Sequence, residues 1–175
     1  DHRGKRVHAH GGMIDGFRSL VTLVPGADTG VAVLSNLHGS KLNIALANGI
    51  VDRLLGLPAT DWAAHFLAVE KAERDAKRAA LAARDAARRP GTAPTLAPDG
   101  YAGRYEHPAY GEARVTADSD RLVWAWSSFR CPLEHYQGDT FRIADGFLAD
   151  ELVEFRLDGK AVTGATAMGL GFARK

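Results

Sequence analysis

Two short apolar runs open the chain, at 17–24 and 30–35, with the turn signal Pro25-Gly26-Ala27-Asp28 between them. The first is rich in β-branched and aromatic residues, which suit a pleated surface. The second is apolar on both faces, so its strand needs cover from both sides. The short connection predicts an antiparallel pair. Next, Leu42, Ala45, Leu46, Gly49, Ile50 and Leu54 recur at helical spacing, predicting a helix with Ser40 as N-cap, ended by Gly56 and Pro58. Its apolar face is expected to pack on the strands. From 61 to 89 the pattern is again helical but rich in alanine and charge, with only Trp62, Phe66 and Val69 as an apolar stripe. Glu70–Arg74 and Glu73–Lys77 stand four residues apart and predict a solvated linker helix. A proline-rich stretch follows at 89–98, semi-rigid and extended by composition.

The last third reads differently. Candidate strands begin near Gly103, Ala113, Arg121, Leu133, Thr140, Leu152, Ala161 and Gly169. Asp158-Gly159 is a strong hairpin signal, and Gln137-Gly138-Asp139 and Ala144-Asp145-Gly146 are weaker ones. About eight short strands without intervening helices predict an antiparallel barrel or sandwich. Trp124 and Trp126 share one strand face and read as core or cavity lining rather than as a sugar platform. The expected organisation is 1–58, a helical and proline-rich linker at 59–98, and a barrel at 99–175, an α+β chain overall.

Composition narrows the function. With 175 residues, 46% hydrophobic and 25% charged, the chain is globular rather than disordered. A net charge of +1 gives no reason to expect nucleic acid as a partner. No apolar run approaches the roughly 18 residues of a membrane span. Cys131 is the sole cysteine, so no internal disulfide forms, and it precedes Pro132 as a buried structural thiol would.

The densest chemistry lies in His8-Ala9-His10-Gly11-Gly12-Met13-Ile14-Asp15-Gly16-Phe17. Glycines at a strand end let a ligand approach the main chain, and the histidines can exchange protons or bind metal. Side chains alternate along a strand, so His8 and His10 share a face. With His38 and Asp15 they offer a zinc alternative, although the glycines are then unexplained. A strand histidine beside a glycine bulge is the plainest reading.

His10-Gly11-Gly12 resembles the third active-site motif of β-lactamase-related serine hydrolases, the penicillin-binding protein and S12 peptidase-like group, in which lysine-threonine-glycine is often replaced by histidine-x-glycine. The order of motif, hairpin, helix, Asp61-Trp62 helix, linker and barrel carries this resemblance over nearly the whole chain. Tyr101-Ala102-Gly103-Arg104-Tyr105 resembles the start of the lipocalin-like domain appended to some members. The resemblance implies the C-terminal strands and helix of an αβα hydrolase domain, followed by that barrel. It implies that His10 faces the nucleophile, that Gly12 with Gly11 leaves room for substrate, and that Met13 offers an oxyanion-hole N–H. His8 and Asn36 are implied near the substrate mouth. Gly11 lacks the hydroxyl with which a threonine binds a substrate carboxylate, which points to an esterase, peptidase or amidase on D-amino-acid substrates rather than a β-lactamase. No cofactor is implied, and the location implied is periplasmic or otherwise extracytoplasmic.

No serine in the chain is followed three residues later by lysine, and no tyrosine two residues later by asparagine. The first two motifs of the family are therefore expected upstream of Asp1, in an N-terminal remainder of the hydrolase domain. The chain alone is expected to be inactive toward ester, amide or peptide substrates. The alternative is a non-catalytic module, in which the barrel holds a small ligand or drives homo-oligomerisation.

Overall fold

The computed structural model describes residues 1–14, 16–37, 39–118 and 121–175. Contacts divide the chain into two units, 1–80 and 81–175.

The first unit is built on an antiparallel three-stranded sheet in the order β1 (His8–Ile14), β2 (Phe17–Val24), β3 (Thr29–Ser35). The register pairs His10 with Val21, Gly12 with Ser19 and Ser19 with Leu34. Alternation then gives the sheet two unlike faces. Arg18, Leu20, Thr22 and Val24 share one face, and the last two are buried. His8, His10, Gly12, Ile14, Phe17, Val21, Leu23 and Leu34 share the other, which is largely exposed.

Helix α1 (Leu42–Leu54) packs on the first face. Its buried stripe is Asn43, Ala47 and Val51, with Ala45 and Asp52 buried on the flank. The larger residues of the expected apolar face, Leu42, Leu46, Ile50 and Leu54, remain 40–46% exposed. Small side chains let the helix approach the strands, and the Asn43 amide holds it there. Its Nδ2 donates to the carbonyls of Arg18 and Val33, at 3.2 and 3.0 Å, and its Oδ1 accepts from the Ser35 hydroxyl at 2.8 Å. The N-cap also differs from expectation: Lys41 occupies it, and Ser40 stands one residue earlier, its Oγ accepting from Leu42 N–H. Glu70 completes the cap by accepting from Lys41 N–H and the Ser40 hydroxyl.

Glu70 lies on α2 (Trp62–Ala86). It keeps a long 3.8 Å contact to Arg74, while Glu73 pairs with Lys41 at 2.9 Å rather than serving only its own helix. These carboxylates complement the amide end of α1. Below them, Asp52 is 2% exposed and fully engaged. It accepts from His2 and from the Trp62 indole at 2.7 Å, and from Arg3 at 3.0 Å. Burial alone would raise its pKa; the hydrogen bonds outweigh burial and hold it below the ordinary 3.8.

The second unit contains a closed eight-stranded antiparallel barrel, as the strand pattern predicts. Its strands are β4 (Gly103–His107), β5 (Gly111–Asp118), β6 (Arg121–Trp126), β7 (Phe129–Gln137), β8 (Thr140–Ile143), β9 (Leu152–Asp158), β10 (Ala161–Ala167) and β11 (Leu170–Arg174). Neighbours in sequence are neighbours in the barrel, and β11 pairs with β4 to close it. β7 begins four residues before the expected Leu133, running through Pro132. The Pro132 carbonyl accepts from Ala144 N–H just past the end of β8. Its imide nitrogen faces that same side, so the ladder to β6 loses nothing.

The interior is packed with rings: Tyr101, Tyr105, Trp124, Phe141, Phe155 and Phe172 are all buried. Tyr101 belongs to a single helical turn, α3 (Pro98–Tyr101). Its hydroxyl donates to Asp139, which also accepts from the amide and hydroxyl of Thr95 at 2.8 Å. Burial, reinforced by Asp139, pushes the Tyr101 phenol up to about 12. The proline-rich stretch is therefore tied down along its length, with Arg89 N–H on Gln137 and Gly138 N–H on Thr92. Gly164 sits opposite Arg156, beside a register shift in β10. The Arg156 guanidinium crosses it to donate to the Phe172 carbonyl and the Thr166 hydroxyl, both at 2.9 Å.

Two outcomes follow from this packing. A methyl group at Gly164 would meet both the Arg156 guanidinium and the Phe172 carbonyl oxygen, so Gly164→Ala should destabilise the barrel by about 2–3 kcal/mol in a chemical denaturation series. Asp52→Ala should cost on the order of 3 kcal/mol by leaving buried partners unpaired. The Asp52 contribution is whole above its ordinary value and disappears as pH falls through the lower folded value. Thermal melts at pH 7 and in the acid range should therefore show the difference between wild type and Asp52→Ala shrinking toward low pH.

Candidate functional site

The candidate site grows from β1. Within the described residues this strand pairs only with β2, so the polar backbone groups of its outer edge are not used by the sheet. His8 and His10 both project from the exposed face, opposite Leu23 and Val21, as the period-two reading expects. Gly12 follows on the same face, opposite Ser19.

Neither Gly11 nor Gly12 needs a left-handed backbone, and only Gly16, in the turn to β2, has a positive φ, +95°. Gly12 is instead a matter of space. A Cβ there would lie 2.8 Å from the Ser19 hydroxyl. The motif thus presents a flat strip of main chain after His10, flanked by a serine.

Met13 is the next residue, and alternation turns its side chain to the α1 face, where its sulfur accepts from Arg18 Nη2 at 3.6 Å. Arg18 is held on that side too, donating to the Ser40 carbonyl at 3.1 Å. Asn36 lies just beyond β3 and is exposed. Gly12, Met13 and Asn36 come together around a hollow of about 490 Å³ at this end of the sheet, whose other walls include Ile14, Phe17 and Leu34. Leu34 and Ile14, on the strands either side of β2, are 79% and 70% exposed, an unusual concentration of bare apolar surface on one sheet face.

The sequence pattern missed Asn43, which fixes the β2–β3 end of the hollow through Arg18, Val33 and Ser35. A polar residue on the stripe of Ala47 and Val51 was the available signal. It also missed Phe17 and Leu34 as walls, since apolar strand residues read as core. Among the described residues there is no group of three or more His, Cys, Asp and Glu side chains placed to hold a metal. His38 and Asp15, named as further zinc ligands, lie outside the described residues. No helix of the described residues is long and apolar enough to cross a membrane.

Residues 87–171 match a protein family described as a domain of unknown function (DUF3471). A curated protein from Aspergillus violaceofuscus, Unguisins hydrolase ungD, is 27% identical over 186 aligned positions, which cover 96% of this chain and 33% of that protein. A crystal structure of SurE aligns over 97% of this chain and 34% of its own, with 20% identity and a TM-score of 0.40. The octameric penicillin-binding protein homologue from Pyrococcus abyssi aligns over 99% of this chain and 34% of its own, with 18% identity and a TM-score of 0.34. The chain spans about a third of the length of these relatives.

The crowding at Gly12 gives a direct test of the strip. Gly12→Ala should cost about 1 kcal/mol, because Ser19 must turn aside. Ser19→Ala in the same chain should recover most of that loss, a coupling that a double-mutant cycle of melting curves would measure.

Proposed function

We propose that the chain is non-catalytic by itself and serves as the C-terminal part of a hydrolase, its β1 strand walling the substrate cleft and its barrel acting as an accessory module. The observation that carries this reading is the placement of His10 and Gly12 on one exposed face of a strand with a free edge, beside an apolar hollow. In that role the His10 imidazole hydrogen-bonds a substrate oxygen or the hydroxyl of a catalytic residue. Gly12 lets the substrate lie against the strand, and the Met13 amide stabilises the oxyanion. His8, Gly11 and Asn36 line the approach. The name of the fungal relative supports hydrolysis, and its greater length supports a remainder of the domain that covers the bare sheet face. An ester, amide or peptide substrate and an extracytoplasmic location belong to the same reading.

A second reading confines function to the barrel. Trp124 is fully buried and its indole N–H has no hydrogen-bond partner among the described residues. An unsatisfied buried donor costs about 1–3 kcal/mol, and a small acceptor ligand in the barrel would relieve it.

The chain alone should neither hydrolyse a chromogenic ester nor label with a fluorophosphonate probe, since it holds no Ser-x-x-Lys sequence. In a protein carrying the rest of the hydrolase domain, His10→Ala should lower kcat about a hundredfold or more with an unchanged melting temperature. Full turnover in that variant would leave only the barrel reading.

A further inference from the structure

We propose that Tyr101 is an internal ligand of the barrel: a phenol carried in by the proline-rich strap fills a site that a small phenolic molecule would otherwise fit, and keeps that place shut. This assignment does not rest on the hydrolase reading. A closed barrel of eight strands has an interior just wide enough to be filled by its own side chains or to hold one small ligand. Here the strands do not fill it alone. Tyr101 comes from α3, ahead of the first barrel strand, yet it is fully buried in the core. α3 lies against β5, β6 and β10. The buried residues of β5 and β10 include Ala113, Ala165 and Ala167, side chains too small to occupy that space themselves.

Tyr101 is held as a ligand is held, by apolar walls around its body and a polar partner at its tip. Its ring meets Phe155 at 4.9 Å and Phe141 at 5.3 Å between centroids. Its hydroxyl donates to Asp139 and accepts from the Leu96 amide at 3.2 Å. The backbone that carries it is gripped separately. Arg174 donates to the carbonyls of Gly100 and Ala102, at 2.9 and 2.7 Å, and the Tyr105 hydroxyl donates to the Tyr101 carbonyl at 2.6 Å. Residue 100 is glycine for want of room, because a Cβ there would lie 2.8 Å from that of Leu96. The place is distinct from that of the Trp124 indole, whose ring neighbours are Tyr105 and Phe172.

The class of ligand follows from these partners. Two aromatic walls and a carboxylate acceptor select a single ring that carries a hydroxyl. A phenol tethered to the chain competes at a high effective concentration, so the intact barrel is closed to a phenol in solution.

The test uses the full 175-residue chain and p-cresol, which is the tyrosine side chain without its backbone. Tyr101→Ala should melt roughly 10 °C or more below the wild type. Millimolar p-cresol should raise the melting temperature of that variant by about 5 °C or more, and should move its amide NMR signals at 96, 139, 141 and 155. It should leave the wild type unmoved. Toluene, which lacks the hydroxyl, should bind the variant about tenfold more weakly, and adding Asp139→Ala should abolish that preference. Where Tyr101→Ala does not fold in buffer, refolding in p-cresol should restore the native spectrum, and failure to restore it overturns the proposal. Equal stabilisation of wild type and Tyr101→Ala, p-cresol signals confined to other faces, or toluene bound as tightly as p-cresol with Asp139 intact would each overturn it as well.

Discussion

The Asn43 side chain is the constraint on which the first unit turns. One buried amide satisfies two strand carbonyls and one hydroxyl, all at the same end of β2 and β3. Because its donors and acceptor are directional, it sets both the depth and the rotation of α1 on the sheet. A purely apolar contact would fix neither. The helix that it orients carries the amide end that Glu70 caps and the carboxylate that His2, Arg3 and Trp62 surround. The candidate site sits on the far side of the same strands, so its geometry is inherited from a contact that it does not touch. That division of labour is common where a scaffold must hold a binding surface steady.

The second unit solves a different problem. At fewer than a hundred residues it has little volume to bury. It fills what it has with six aromatic side chains whose rings meet edge to face, as in Tyr101–Phe141 and Trp124–Phe172. Closure removes the free strand edges that a small sheet would otherwise expose. Polar closure is equally specific: Asp139 gathers Thr95 and Tyr101 into one cluster at the end of the proline-rich stretch. Tyr136, its hydroxyl donating to the Arg84 carbonyl and its ring under the Arg84 and Arg88 guanidinium groups, holds the end of α2.

Much of the barrel was legible because its signals are local. Alternation along 152–157 and turn residues such as Gly138 and Gly159, both at positive φ, depend on near neighbours only. The start of β7 was misjudged because proline is read as a breaker, and only the position of Ala144 shows where its missing donor falls. The face of α1 was misjudged for a related reason. Periodicity counts large apolar residues, whereas close packing on a sheet selects small ones and, here, an asparagine. The alternation that places His8 and His10 together was readable. The strip at Gly12 was readable as glycine but not for its cause, since crowding by Ser19 arises from strand register. The partners of Glu70 and Glu73 at Ser40 and Lys41 come from the cap of another helix and leave no trace in the spacing along their own.

The closing seam of the barrel has a topological consequence. Arg174 pairs with Tyr105, and the Lys175 amide bonds to the Arg104 carbonyl, so the strand run of the barrel, from β4 to β11, begins and ends at one place on its circumference. Its chain ends are adjacent, which is the condition for a domain that can be grafted onto an unrelated host or circularly permuted at little cost. A fold wired in this way is a natural unit of genetic recombination, because the two ends of its strand run lie side by side and a graft needs no rearrangement inside.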